Sequence, residues 1–233
     1  MIEREVAIVT GASKGIGKAI VLKLADENKI VCAFARTQNK IDELVRLNKN
    51  IIPFIGDITN KSFVENSVNK ILNDFGKVDH LINNAGMAVF KKFVDSNIED
   101  LQKQIDINLY AVFNLTKALV NHFIERRSGT IINISSLAGK NGFAYGTTYA
   151  STKHALMGFT KSLFMELREY DIRVSAVCPG SVETEMIIDS PVRPQKIDKA
   201  LKPDDVAEVV STIIKMPANA LISEIELRPN NVK

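Results

Sequence analysis

Seven short apolar runs recur along the chain, at residues 6–10, 30–35, 51–55, 78–82, 130–134, 173–177 and 224–227, most of them rich in valine or isoleucine and seldom alternating with polar residues. Runs of this kind belong to strands covered on both faces, as in a parallel sheet. Between them the apolar positions fall at helical spacing instead, as in Ile105, Leu109, Val112, Leu115 and Leu119, and again in Leu156, Phe159, Leu163 and Leu167. Strand and helix therefore alternate. Right-handed crossovers then predict an α/β architecture, a doubly wound parallel sheet of about seven strands that takes its ligands at the carboxyl ends of the strands. No internal repeat, low-complexity tract or linker interrupts the pattern, so one domain over residues 1–233 is expected.

The first run leads into Thr10-Gly11-Ala12-Ser13-Lys14-Gly15-Ile16-Gly17, and a helical stretch is expected over residues 18–27. A glycine-rich turn at this place presents bare backbone amides at a helix N-terminus, where the helix dipole favours a phosphate group. The spacing is Gly-x-x-x-Gly-x-Gly and not the commoner Gly-x-Gly-x-x-Gly of dinucleotide-binding turns.

A second cluster suited to proton transfer lies further along. Tyr149 and Lys153 are four residues apart, which places them on one helical face about one turn apart, and the doublet Ser135-Ser136 precedes them at a strand end. A phenol ordinarily ionises near pH 10, so a fixed neighbouring cation is a direct way to make it an acid or base at neutral pH.

In order and separation, Thr10 to Gly17, Asp57, Asn83-Asn84-Ala85-Gly86, Asn108, Ser136, Tyr149, Lys153, and Pro179-Gly180 with Val182 and Thr184 make the chain resemble the short-chain dehydrogenases/reductases over essentially its whole length. Within that family it is similar to NADP-dependent carbonyl reductases and to 3-oxoacyl-acyl-carrier-protein reductases. The resemblance implies a Rossmann-type fold and a hydride transfer between a nicotinamide cofactor and a carbonyl or secondary alcohol. It implies that Asn108, Ser136, Tyr149 and Lys153 are catalytic, with Ser136 orienting the carbonyl oxygen and Tyr149 as general acid or base. Lys153 would lower the phenol's pKa and hold the nicotinamide ribose, and Ser135 is read as structural. It further implies that Gly11, Ser13, Lys14, Gly15, Ile16, Gly17, Arg36, Asp57, Ile58, Asn84, Ala85, Gly86, Tyr149, Lys153, Pro179, Gly180, Val182 and Thr184 line the cofactor site. Asp57 would hold the adenine, and Asn108 would distort its helix and keep a water in a proton relay. By residue type alone, Asp57 is equally a turn carboxylate, Asn83 to Gly86 an ordinary turn, and Asn108 a local kink.

The second run ends in Ala35-Arg36, with no carboxylate to accept from the ribose hydroxyls. Lys14 and Arg36 are placed instead to converge on a 2′-phosphate, which favours NADP(H) over NAD(H).

Composition changes the picture by exclusion. The 233 residues are 45% hydrophobic, enough for one large core, and the net charge is +3 without a basic block. Nucleic acid is therefore not expected as a partner, and the apolar runs are too short to span a membrane. The chain enters its first strand almost at once, without a charged-then-apolar leader, and a cytoplasmic location is expected. Cys32 and Cys178 fall in separate strands and read as packed thiols, while His80, His122 and His154 lack metal-ligand spacing.

For substrate, the resemblance implies that the segment 183–198 closes the pocket; its Met186, Ile187, Ile188, Pro191 and Pro194 suggest an uncharged or acyl-like small molecule, and by residue type alone they are equally ordinary packing residues of a lid. The end, Glu224-Ile225-Glu226-Leu227-Arg228-Pro229, lacks the Gly-Gly pair of typical 3-oxoacyl-acyl-carrier-protein reductases, which favours a general carbonyl reductase and leaves the carrier-protein activity as the alternative. A non-catalytic dinucleotide sensor is a third reading, weakened by the presence of all four proton-transfer residues. The resemblance implies a homodimer or homotetramer built on the long helices that carry Asn108 and Tyr149.

Overall fold

The computed structural model describes residues 4–230. Seven strands, β1 (Val6–Thr10), β2 (Ile30–Ala35), β3 (Ile51–Ile55), β4 (His80–Asn83), β5 (Gly129–Ile134), β6 (Ile172–Pro179) and β7 (Glu224–Leu227), form one sheet in the order β3-β2-β1-β4-β5-β6-β7. Every neighbouring pair is parallel. The connecting helices are α1 (Gly15–Asp26), α2 (Gln38–Leu47), α3 (Lys61–Phe75), α4 (Ile98–Ile105), α5 (Ala111–Arg126), α6 (Thr147–Leu167), the short α7 (Glu185–Ile188) and α8 (Pro203–Lys215). Among the described residues no helix is long and apolar enough to cross a membrane.

The unbroken apolar character of β1 has its cause in two cores, one on each side of the sheet. Ala7 and Val9 face a cluster with Ile20 and Leu24 of α1 and Val206 and Val210 of α8. Val6 and Ile8 face the other, with Val64 and Val68 of α3 and Leu115 and Leu119 of α5. All five residues of β1 are buried, so no polar position could alternate there. Among the described residues, solvent-exposed strand positions occur only on the two edge strands. Pro53 sits exposed on the edge strand β3, where a missing N–H costs no central ladder bond. On β7, Glu224 and Glu226 are neutralised by Lys140, and Glu226 also by Arg228 at 2.6 Å.

Several boundaries differ from the sequence expectation, among them that of β4, which spans His80–Asn83 and not 78–82. Helix α1 begins at Gly15, three residues before the predicted 18, because two of the turn's glycines belong to the helix itself. Strand β6 runs on to Pro179, since Cys178 and Pro179 pair with Glu226 and Leu227 beyond the end of β5, at a place where proline faces a ladder on one side alone. Cys32 and Cys178 are buried free thiols, as expected.

The turn between β1 and α1 is compressed against the loop after β4. Gly11 takes a φ of +66°, and a Cβ there would come within 2.9 Å of Ala85 Cα. Asn84 Nδ2 donates to Thr10 O at 2.8 Å, while the backbone amides of Asn84 and Ala85 donate to Thr10 Oγ1 at 3.0 and 2.9 Å. A Cβ on Gly17 would stand 2.2 Å from Gly11 O and 2.5 Å from Asn84 Nδ2. Neither neighbour can yield without breaking the turn, so Gly17→Ala is expected to destabilise the fold by about 1–3 kcal/mol, measured by chemical denaturation.

Candidate active site

Strand order reverses between β1, which is followed to one side by β2 and β3, and β4, which is followed to the other by β5, β6 and β7. Connections leave in opposite directions at this point, so a crevice opens beyond the carboxyl ends of β1 and β4. A cleft of about 1150 Å³ lies there. Its walls include Gly11, Ser13, Lys14, Gly15, Ile16 and Gly17 from the turn, Arg36 after β2, and Asp57 and Ile58 after β3. Asn84, Ala85 and Gly86 after β4, Tyr149 and Lys153 on α6, and Thr184 before α7 complete the predicted set that reaches it.

The remaining predicted residues, Asn108, Ser136, Pro179, Gly180 and Val182, are not among its lining, although Ser136 is hydrogen-bonded to Tyr149. Val182 is buried in the core and bridges in parallel to Leu201. Gly180 donates its N–H to Leu227 O at 2.8 Å and is packed between Pro229 and Leu137. Pro179 ends β6, and its carbonyl accepts from Ser136 Oγ at 3.4 Å. Asn108 is 1% exposed; its Oδ1 accepts from Met87 N at 2.8 Å, and its Nδ2 donates to Met87 O at 2.8 Å and to Thr152 Oγ1 at 2.9 Å. It thus braces the loop after β4 against α6. The kink expected of an asparagine here is a π-helical segment, Asp106–Tyr110, joining α4 to α5.

Several lining residues had no signal in their immediate sequence. Ser135, read as structural, lines the cleft, and its buried hydroxyl has no hydrogen-bond partner. Met87, Ala88 and Ile107 add apolar surface near Tyr149, while Lys40 and Glu185 add charge near the turn. Only the serine doublet at the end of a strand pointed to one of them. Asp57 does serve as a turn carboxylate, accepting from Thr59 N at 2.9 Å and Thr59 Oγ1 at 2.8 Å, and it lines the cleft as well.

Tyr149 and Lys153 share one face of α6, as their spacing required, and both are buried, at 9% and 4% exposure. Lys153 Nζ donates to Ile134 O at 2.9 Å and lies 5.8 Å from the centre of the Tyr149 ring. Burial pushes the phenol up to about 12, opposed by a hydrogen bond with Ser136, whose hydroxyl also accepts from Ala138 N at 3.1 Å. Burial also pushes the Lys153 ammonium down to about 8. Burial thus works against the lowering of the phenol's pKa expected of the lysine. The ammonium is held by a backbone carbonyl beside the ring, and loss of water disfavours phenolate and ammonium alike. The ring itself is fixed by Phe90, edge-on at 5.5 Å, with Phe143 beyond it at 6.1 Å from Phe90.

The donor set suits a dinucleotide. Gly11 and Gly15 have positive φ, the missing Cβ of Gly17 lets the turn close, and the first amides of α1 have no helical partner. Lys14 and Lys40 both approach Glu185, Arg36 lines the same cleft, and Ala35 at the end of β2 brings no carboxylate.

The short chain dehydrogenase family profile matches residues 5–193. A 3-oxoacyl-acyl-carrier-protein reductase FabG of Thermotoga maritima is 34% identical over 220 residues, covering 90% of this chain and 89% of that one. A 3α-hydroxysteroid dehydrogenase of Mediterraneibacter gnavus is 32% identical over 238 residues, covering 97% and 95%. Among solved structures, ElxO with NADP bound superposes with a TM-score of 0.88 at 29% identity, covering 97% of each chain. With its cleft at the reversal of a seven-stranded parallel sheet and Tyr149 and Lys153 together inside it, the chain belongs to the short-chain dehydrogenase family of oxidoreductases.

Proposed function

We propose that the protein is an NADP(H)-dependent carbonyl reductase in which Tyr149 is the general acid. The observation that carries this reading is the convergence, in one cleft, of a phosphate-binding turn, three cations and a buried phenol with an ammonium beside its ring. The turn from Gly11 to Gly17 would hold the pyrophosphate, Asp57 and Ile58 the adenine, Lys14 and Arg36 the 2′-phosphate, and Lys153 the nicotinamide ribose. Asn84, Ala85, Gly86 and Thr184 would enclose the rest, with Pro179, Gly180 and Val182 supporting that wall from behind. When bound, the nicotinamide supplies hydride to a carbonyl carbon or takes it from an alcohol.

The chain's own part is to place and move a proton. Ser136 donates to the carbonyl oxygen and orients it. A phenol pushed up to about 12 is neutral at physiological pH and is in the form needed to protonate the developing alkoxide. The phenolate left behind is stabilised by the Lys153 ammonium and takes its next proton from solvent. Asn108 acts by position, holding Met87 and Thr152 so that the loop after β4 and α6 keep their spacing. Phe90 and Ala88 pack against the phenol, and Met87, Met186 and Ile188 line the same cleft, an apolar share of its lining that suits an uncharged carbonyl compound. A second reading, reduction of a 3-oxoacyl thioester, is favoured by the T. maritima relative's name. Two buried free thiols accord with a cytoplasmic setting.

The surface between α5 and α6 supports a homo-oligomer. Phe113, Tyr110 and Met165 are exposed there, Phe113 meets Phe159 at 6.2 Å, and a groove of about 670 Å³ runs beside them. A second copy packing its own α5 and α6 on this face would cover it. Light scattering is expected to give at least a dimer, and Phe113→Asp a smaller species; a wild-type monomer refutes the assignment.

Tyr149→Phe is expected to keep NADPH binding, read by calorimetry, and to lose at least roughly 10²-fold in turnover of small ketones, acetoacetyl thioester or aromatic aldehydes. Near-normal turnover would exclude the phenol as acid. Broad activity on small carbonyls supports the general reductase, selectivity for the thioester supports the acyl reductase, and cofactor binding without turnover of any of these supports a sensor. Because Lys153 loses its proton as pH rises through about 8, while Tyr149 stays neutral up to about 12, reductive turnover is expected to fall on the alkaline side of about 8. In Lys153→Arg, whose guanidinium keeps its charge, the fall should move to higher pH in any variant that retains activity. A pH–rate profile that is flat through this range overturns the role of the ammonium.

A further inference from the structure

The cationic end of the cleft already contains an anion. Glu185, the first residue of α7, forms an ion pair with Lys14 of the glycine-rich turn, and its other carboxylate oxygen lies 3.8 Å from Lys40 Nζ in the first turn of α2. All three residues line the cleft, together with Arg36. The contact is reinforced by the residue before it, since Thr184 Cγ2 stands 3.1 Å from the place a Cβ would take on Gly15. The segment that closes over the cleft is therefore seated on the phosphate-binding turn, with its carboxylate between two lysines from separate elements. Arg36 lines the same cleft, and its charge also acts on Asp57.

We propose that Glu185 is a selectivity residue that occupies, as an internal anion, the cation pair a 2′-phosphate takes. The inference rests on the proposed NADP(H) dependence. Lys14 and Lys40 reach the same carboxylate, so they are close enough to engage one phosphate group with separate oxygens. A ligand bearing the 2′-phosphate displaces Glu185 and repays the lost ion pairs with stronger ones. A ligand with ribose hydroxyls alone brings no charge to replace the carboxylate and leaves Glu185 in place. Lys40 thus joins Lys14 and Arg36 in holding the phosphate, and binding of the phosphorylated cofactor is coupled to release of α7 from the turn.

The test compares adenosine 2′,5′-bisphosphate with adenosine 5′-phosphate, which differ only in the group at issue, by calorimetry on the full chain. Wild-type protein is expected to prefer the bisphosphate. Glu185→Gln should bind the bisphosphate roughly three- to tenfold more tightly and the monophosphate within about twofold of wild type, as removal of an exposed competing charge allows. Lys40→Gln should weaken the bisphosphate alone. Trypsin should cut after Lys196 faster when the bisphosphate is present, and in Glu185→Gln faster without it. If wild type prefers the bisphosphate but Glu185→Gln leaves both affinities unchanged, Glu185 is no competitor and the NADP(H) reading stands. If wild type shows no preference, both fail.

Discussion

The reversal of strand order between β1 and β4 is the constraint on which the site depends. Residues from β1, β2, β3, β4 and β5 all end on the same side of a parallel sheet, so segments far apart in sequence deliver their terminal residues to one place. Burial of both sheet faces makes that delivery rigid. Val6 and Ile8 are locked into one core, Ala7 and Val9 into the other, and the strand cannot slip by a residue without exchanging the two sets. The glycine-rich turn after β1 is thereby fixed in height relative to the loop after β4, which lets Thr10 Oγ1 accept from two successive amides of that loop.

Around this frame the polar groups that are buried act as braces. Asn83 Nδ2 donates to Asn133 Oδ1 at 2.9 Å, and Asn133 Nδ2 donates to Thr160 Oγ1 at 2.9 Å, which ties β4 and β5 to α6. Asn108 and Gln104 repeat the device one layer out. Gln104 Nε2 donates to Thr148 Oγ1 at 2.9 Å, and Gln104 Oε1 accepts from Val89 N at 3.1 Å. Each bond is short and enclosed, so its loss would leave a buried group unsatisfied at a cost of about 1–3 kcal/mol. Helix α6 is therefore positioned along its length by these buried braces, and Tyr149 inherits its place from them.

Much of this is legible in the sequence because the informative features are local. Valine- and isoleucine-rich runs report two-sided burial directly, and the four-residue spacing of Tyr149 and Lys153 is a statement about one helix face. The start of α1 lies earlier than the sequence suggests because Gly15 and Gly17 have the look of a turn, although a glycine that begins a helix can be selected for close packing and not for breaking it. Contacts between distant segments cannot be read at all. Glu185 meets Lys14 across 171 positions, and nothing beside either residue announces the other. The raised pKa of Tyr149 is hidden for a different reason: residue types give the sign of a neighbouring charge, but desolvation depends on enclosure, which only the folded chain supplies.

That enclosure has a chemical consequence. Burial acts on the phenol and the ammonium in opposite directions along the pH scale, toward about 12 and about 8, because each is disfavoured in its charged form. The two shifts narrow the interval over which the neutral phenol and the charged ammonium coexist, and they set its upper limit by the lysine. Within that interval a neutral phenol stands beside a charged ammonium, 5.8 Å from the centre of its ring. With Lys153 held on a backbone carbonyl, the protonation of the pair is governed by enclosure before any charge passing between its two members.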